Sequence, residues 1–333
     1  MNSTGLESIR RTFTPAELRA ELVANGVDRT VLVEGGRCDV DEARLLFGYI
    51  ADIPEIAGVV AWADPCAPDL AEILRGYRAL PGGERLVGIR EQIQGIEDPG
   101  YFDRDDLRRG LSTIGANGLA FDLVIRSDQI ASAARLAGEL PGVRFVLDHL
   151  GKPAIANGRF ESWAADLALL AACPNVTAKV SGLITEADWD SWTVDDLRPF
   201  VVEALRLFGP ERLMFGSDWP VCTLASAGGN ALGPAGGNAL TSGAGDAPGR
   251  AGGNALGSTG GNAPGPTDGN ALTSTAGKES TSGAGHALAS GAGNALSSAY
   301  GKWFSALWVI LPGDAREQVM GGTASRTYDL RSD

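Results

Sequence analysis

Histidine is almost absent from this chain: its 333 residues hold two, His149 and His286. The four cysteines, Cys38, Cys66, Cys173 and Cys222, are scattered without paired spacing, which excludes a zinc ribbon and a disulfide framework and points to reduced thiols in a cytoplasmic protein. Positive charge is in the minority. With 28 Lys and Arg against 41 Asp and Glu, the net charge of -13 argues against a nucleic-acid or anionic-membrane surface and leaves a small-molecule partner. No run approaches the ~18 apolar residues of a membrane span, and the opening MNSTGLESIRR lacks the apolar core of a signal peptide. The glycine-rich phosphate loop of a dinucleotide-binding sheet is missing too. Nothing in the composition gives an oligomeric state.

What is present is a regular alternation. Short apolar runs at Thr30–Glu34, Gly58–Ala63, Leu86–Gln92, Leu119–Ile125, Arg144–His149, Val176–Val180 and Leu213–Gly216 read as strands. Helix-like stretches separate them: 39–52, 68–80, 103–117, 127–140, 161–172 and 194–208, with 14–25 before the first and Thr14-Pro15 as its start signal. This β/α rhythm fits a parallel sheet, either doubly wound or closed into a (β/α)₈ TIM-type barrel. The barrel is favoured, because Arg90, Asp122, His149, Lys179 and Asp218 all fall at or near strand carboxyl ends, where barrels place their chemistry.

Residues 227–298 break the rhythm. Degenerate copies of GGNALxxA recur every eight residues, rich in Gly, Ala, Ser and Thr and too poor in apolar bulk to offset ordering entropy. The expectation is a disordered insertion in the loop after the last strand, with the barrel domain formed by 1–226 and 299–333. His286 stands where most copies have asparagine and reads as drift. Ala299–Leu311 reads as an amphipathic helix, followed by a terminal helix and tail.

Two segments carry the chemistry. RLMFGSDWPVC, Arg212 to Cys222, is an apolar run that delivers Asp218 to the edge of a pocket; FVLDHLGKP, Phe145 to Pro153, does the same for His149. With NVTAKVSGLITEADW, Asn175 to Trp189, the opening FTPAELRAEL, the GIR at Gly88–Arg90 and the closing GGTASRTYDL, they resemble the amidohydrolase-related branch of the amidohydrolase superfamily, the group of fuconolactone hydrolases and pyrone-dicarboxylate lactonases.

The resemblance implies a (β/α)₈ barrel in which water attacks the carbonyl of a lactone, ester or amide. Asp218 would be the general base, and His149 would polarise the carbonyl or help position a metal. Arg90 would grip a substrate carboxylate or hydroxyl, with a structural ion pair the other reading of its residue type. Asp122, Lys152 and Lys179 are further substrate contacts, and Trp219 and Trp189 wall the pocket or pack in the core. Members open with a strand carrying a His-x-His pair, which this chain does not show, so the expectation is an N-terminally truncated barrel lacking its first strand. Any divalent metal, zinc or manganese, would belong to a full-length form, and here only His149 and Asp218 are ligand candidates. The leading expectation is a hydrolase opening a sugar lactone or similar cyclic ester. A metal-dependent decarboxylase and a catalytically impaired scaffold are the alternatives.

Overall fold

The computed structural model describes residues 6–229, 273–277 and 298–330. Its first helix shows how local sequence sets the elements. In α1, Pro15–Ala24, the Thr14 hydroxyl accepts from Glu17 N while the Glu17 carboxylate accepts from Thr14 N at 2.8 Å, a reciprocal cap with proline at the first helical position. Leu18 and Leu22, one turn apart, are then fully buried.

Seven parallel strands follow: β1 (Arg29–Val33), β2 (Ile56–Trp62), β3 (Leu86–Glu91), β4 (Ala120–Leu123), β5 (Arg144–Leu147), β6 (Val176–Val180) and β7 (Leu213–Phe215), each paired with the next in chain order. The crossovers are α2 (Val40–Gly48), α3 (Leu70–Arg78), α4 (Asp105–Ala116), α5 (Ile130–Glu139), α6 (Phe160–Ala171), then α7 (Leu183–Glu186) with α8 (Val194–Phe208); α9 (Ala299–Ile310) and α10 (Thr323–Thr327) close the chain. The sheet curls as a TIM-type barrel, with seven parallel strands among the described residues. An eighth, β8 (Thr273–Gly277), pairs antiparallel with β1, Val31 opposite Thr275, and comes alongside β7 at the other end of the sheet. Its five residues lie inside the repeat read as disordered; the rest of that stretch, 230–272 and 278–297, lies outside the described residues. Edge pairing needs main-chain donors and acceptors rather than apolar side chains, so a Thr/Ser-rich segment can supply it.

Strand alternation divides the apolar side chains into two layers. Val31, Val33, Val60, Ala120, Val146 and Met214 fill the inside of the barrel, where Ala324 from the last helix and Tyr328 just past its end join them. Leu32, Val59, Ile89, Phe121 and Phe145 face outward into the larger core shared with the helices. Every expected strand overlaps an observed one: β1 and β2 begin one and two residues earlier than expected, β6 matches, and the others keep or lose a residue or two at their ends. The fifth stops at Leu147 rather than His149 because His149 and Leu150 turn left-handed, at φ +53° and +50°. No helix among the described residues is long and apolar enough to cross a membrane.

Candidate active site

Asp218 and His149 reach the same place from opposite sides of the β5–β6–β7 end of the sheet. Past β7 the chain turns with Asp218 at φ +54°, a left-handed conformation that costs a non-glycine residue free energy and is held by its surroundings. Past β5, His149 does the same. His149 Nε2 stands 3.8 Å from Asp218 Oδ1, and His149 Nδ1 is hydrogen-bonded to Ser181 Oγ at 2.9 Å. Gly182, at φ +64°, lies flat against the imidazole: a Cβ there would come 2.8 Å from Nδ1.

The two groups are tuned in opposite directions by one cause. Burial pushes the Asp218 carboxyl up to about 7, against the pull of Lys152 and Arg90. Burial also pushes His149 down to about 3, in spite of the neighbouring Asp148 charge. At neutral pH the imidazole is uncharged and the carboxyl titrates.

Beneath them lies a buried chain of ion pairs. Arg90 Nε reaches Glu34 Oε1 at 2.5 Å, and its Nη1 reaches Asp148 Oδ2 at 2.9 Å. Lys179 Nζ is 2.6 Å from both Asp148 Oδ1 and Asp122 Oδ2. The Tyr328 hydroxyl donates to Asp122, 2.8 Å from Oδ2. All five charged side chains are at most 5% exposed. Burial opposes ionisation of Asp148, but Lys179 and Arg90 outweigh it and hold the carboxyl below its ordinary range. Asp122 is pushed up to about 6 by burial, against Lys179. Arg90 and Lys179 lose to burial and gain more from their carboxylates, so both rise. The Glu34 carboxylate also accepts from Gln92 Nε2 at 2.7 Å and Gly36 N at 2.6 Å.

The structure therefore brings Asp218 and His149 together and puts Arg90, Lys179 and Asp122 in one network, committed to partners within the chain. The alternative reading of Arg90, an ion pair, is what its geometry shows. Lys152 follows His149 at φ +53°, with its charge near Asp218. Trp219 is buried edge-on against Phe13, and Trp189 is half-buried with its indole N–H given to Thr185 O. Glu34, Asp148, Ser181, Gly182 and Tyr328 were not among the sequence candidates. Glu34 carried the signal that singled out Asp218, a carboxylate ending an apolar strand.

Asp218 and His149, one a raised acid and the other a neutral imidazole, lie past strand carboxyl ends, the end of the sheet where TIM-type barrels place their chemistry. The amidohydrolase family profile matches residues 3–232. The chain belongs to the amidohydrolase family, and its fold and chemistry class are those of a hydrolase. It is 37% identical over 233 residues to an L-fucono-1,5-lactonase of Burkholderia multivorans, an alignment covering 67% of this chain and 77% of the relative. A crystal structure of a Burkholderia multivorans amidohydrolase with bound HEPES superposes with a TM-score of 0.71 at 28% identity, covering 99% of this chain and 93% of that one. A second crystal form of a Burkholderia multivorans amidohydrolase, with bound zinc, gives 0.70 at 28% identity, with the same coverage.

That bound zinc raises the question of whether the residues here fit a resident metal. Catalytic zinc takes three protein ligands. Among the described residues no group of three His, Cys, Asp or Glu side chains is placed to hold an ion, and the pair at 3.8 Å supplies two. The described donors do not fit, and no step below runs through a metal.

Proposed function

We propose that this chain hydrolyses the ring ester of a sugar lactone, with L-fucono-1,5-lactone the first substrate to test given the relative's activity. The observation that carries the reading is the convergence of Asp218 and His149 with opposed proton affinities. A carboxylate titrating near 7 is about 10⁴-fold more basic than an imidazole titrating near 3, so Asp218 is the base and His149 is not. In the tautomer in which Ser181 donates to His149 Nδ1, the Nε2–H faces the site and can donate to the oxygen on which charge develops.

Ionised Asp218 takes a proton from water as its oxygen attacks the lactone carbonyl, and the carbonyl electrons move onto an oxygen that His149 Nε2–H stabilises. The ring C–O bond then breaks. Its electrons leave on the ring oxygen, which recovers the proton from Asp218, and the product is an open-chain hydroxy acid. Lys152 favours the ionised form of Asp218. Glu34, Arg90, Asp148, Lys179 and Asp122 hold the floor of the site rather than touch substrate.

The hydroxy acid ionises on release, so a pH-stat screen over aldonolactones and aromatic lactones reads turnover directly. Expected is hydrolysis of a six-carbon sugar lactone, with kcat/KM rising toward a plateau above about pH 7 and falling by about 10²–10⁴ in Asp218→Asn. Absence of lactone turnover by the wild-type chain, or an Asp218→Asn variant as fast as wild type, refutes it.

A further inference from the structure

The loops after β2 and β3 border a separate open cleft of about 350 Å³, within the range of small-molecule sites. Trp62, Asp64, Glu91, Asp98, Tyr101 and Arg104 line it. Trp62 is the register partner of Arg90 across β2 and β3, so the cleft opens one strand away from the buried ion network.

Its chemistry is specific. Trp62 brings an aromatic surface and gives its indole N–H to Glu91 Oε2 at 3.1 Å. Asp64 and Asp98 each spend one oxygen on a turn, to Cys66 N at 2.8 Å and Gly100 N at 2.9 Å. Arg104, the cation in the lining, is tied in a two-pronged pair to Asp106, at 2.8 and 2.5 Å. Tyr101 is 5% exposed, and its buried hydroxyl is set against the Cys66 thiol, which also lines the cleft. Burial pushes Glu91 up to about 7, so it can present a proton as well as lone pairs.

An aromatic face for C–H groups, surrounded by acceptors and lacking a free cation in its lining, suits a neutral polyhydroxylated molecule and repels an anion. We propose that this cleft is the specificity subsite that holds the hydroxylated carbons of a neutral sugar lactone and disfavours the sugar carboxylate made from it. The choice of ligand rests on the lactonase reading; the binding itself does not need turnover. Ester opening creates a negative charge, so the acidic lining weakens the hold on product as soon as it forms.

Calorimetric titration of the full chain with L-fucose, a neutral ring that cannot be hydrolysed, and with L-fuconate tests this. Expected is binding of L-fucose at least tenfold tighter than L-fuconate, about tenfold weaker L-fucose binding in Trp62→Ala, and a narrowed preference between the two in Asp64→Asn/Asp98→Asn. Asparagine keeps the turn acceptors, and Asp98 lies on an exposed loop, so the double variant remains informative if Trp62→Ala fails to fold. L-Fuconate bound as tightly as L-fucose, no detectable L-fucose binding, or an unchanged preference in the double variant overturns the proposal. L-Fucose binding that shows this dependence in a chain without lactone turnover keeps the cleft and sinks the hydrolase reading; turnover with an unaltered preference does the reverse.

Discussion

Asp218→Asn is expected to stop turnover and stabilise the fold in the same step. In the folded chain the carboxyl titrates at about 7 because it is buried, against 3.8 in the open. Such a raised acid binds its proton more tightly folded than unfolded. Its contribution to stability is therefore fully present below about pH 4, is lost as pH rises through 7, and is level above that. At about 1.4 kcal/mol for each pH unit between the two values, the loss reaches about 4 kcal/mol by pH 8, an upper bound because the site can relax around the charge. Asparagine has the same shape and does not ionise, so the variant lacks this loss. Urea denaturation at pH 5 and pH 8 isolates most of it: the wild type is expected to lose more stability over that interval than the variant, by about 1–3 kcal/mol. Equal losses in the two proteins would refute the argument that Asp218 is held in a desolvated position against its own charge.

Two further substitutions probe the supports of the site. Lys179→Met leaves Asp122 and Asp148 facing each other in the barrel without their shared ammonium and is expected to cost about 3–5 kcal/mol in urea denaturation; a cost below about 1 kcal/mol would mean that water, not Lys179, neutralises them. Gly182→Ala puts a methyl 2.8 Å from His149 Nδ1 at a φ of +64°, so kcat is expected to fall with little change in KM while stability drops by about 1–3 kcal/mol. Unchanged kcat would remove the imidazole from the reaction.

Much of the barrel was legible because its strands are apolar on both faces and its helices carry explicit start signals, as at Thr14-Pro15. The convergence of Asp218 and His149 was legible for a related reason: each ends a buried strand that cannot hold a free polar group along its length. The rest depended on distance through space. Asp148 precedes His149 in the chain, yet its importance comes from Arg90 and Lys179, on strands β3 and β6, and no local pattern announces that meeting. The strand pairing of Thr273–Gly277 was hidden for the opposite reason, since composition measures what side chains can bury and is silent about what a backbone can pair. The commitment of Arg90 to carboxylates of its own chain likewise needed coordinates, because a guanidinium at a strand end looks the same whether it awaits a ligand or already holds one.

The hydrogen bond from Tyr328 to Asp122 joins positions 206 residues apart. Synthesis runs from the N-terminus, so every strand from β1 to β7 has been made before the tyrosine that seals the base of the barrel exists. Until then Asp122 is an acid without its phenol, inside a cylinder open at one end. Final assembly is thereby a late, long-range event, the kind that folds slowly, and a nascent chain stalled a dozen residues early would expose the ionic heart of the protein to water.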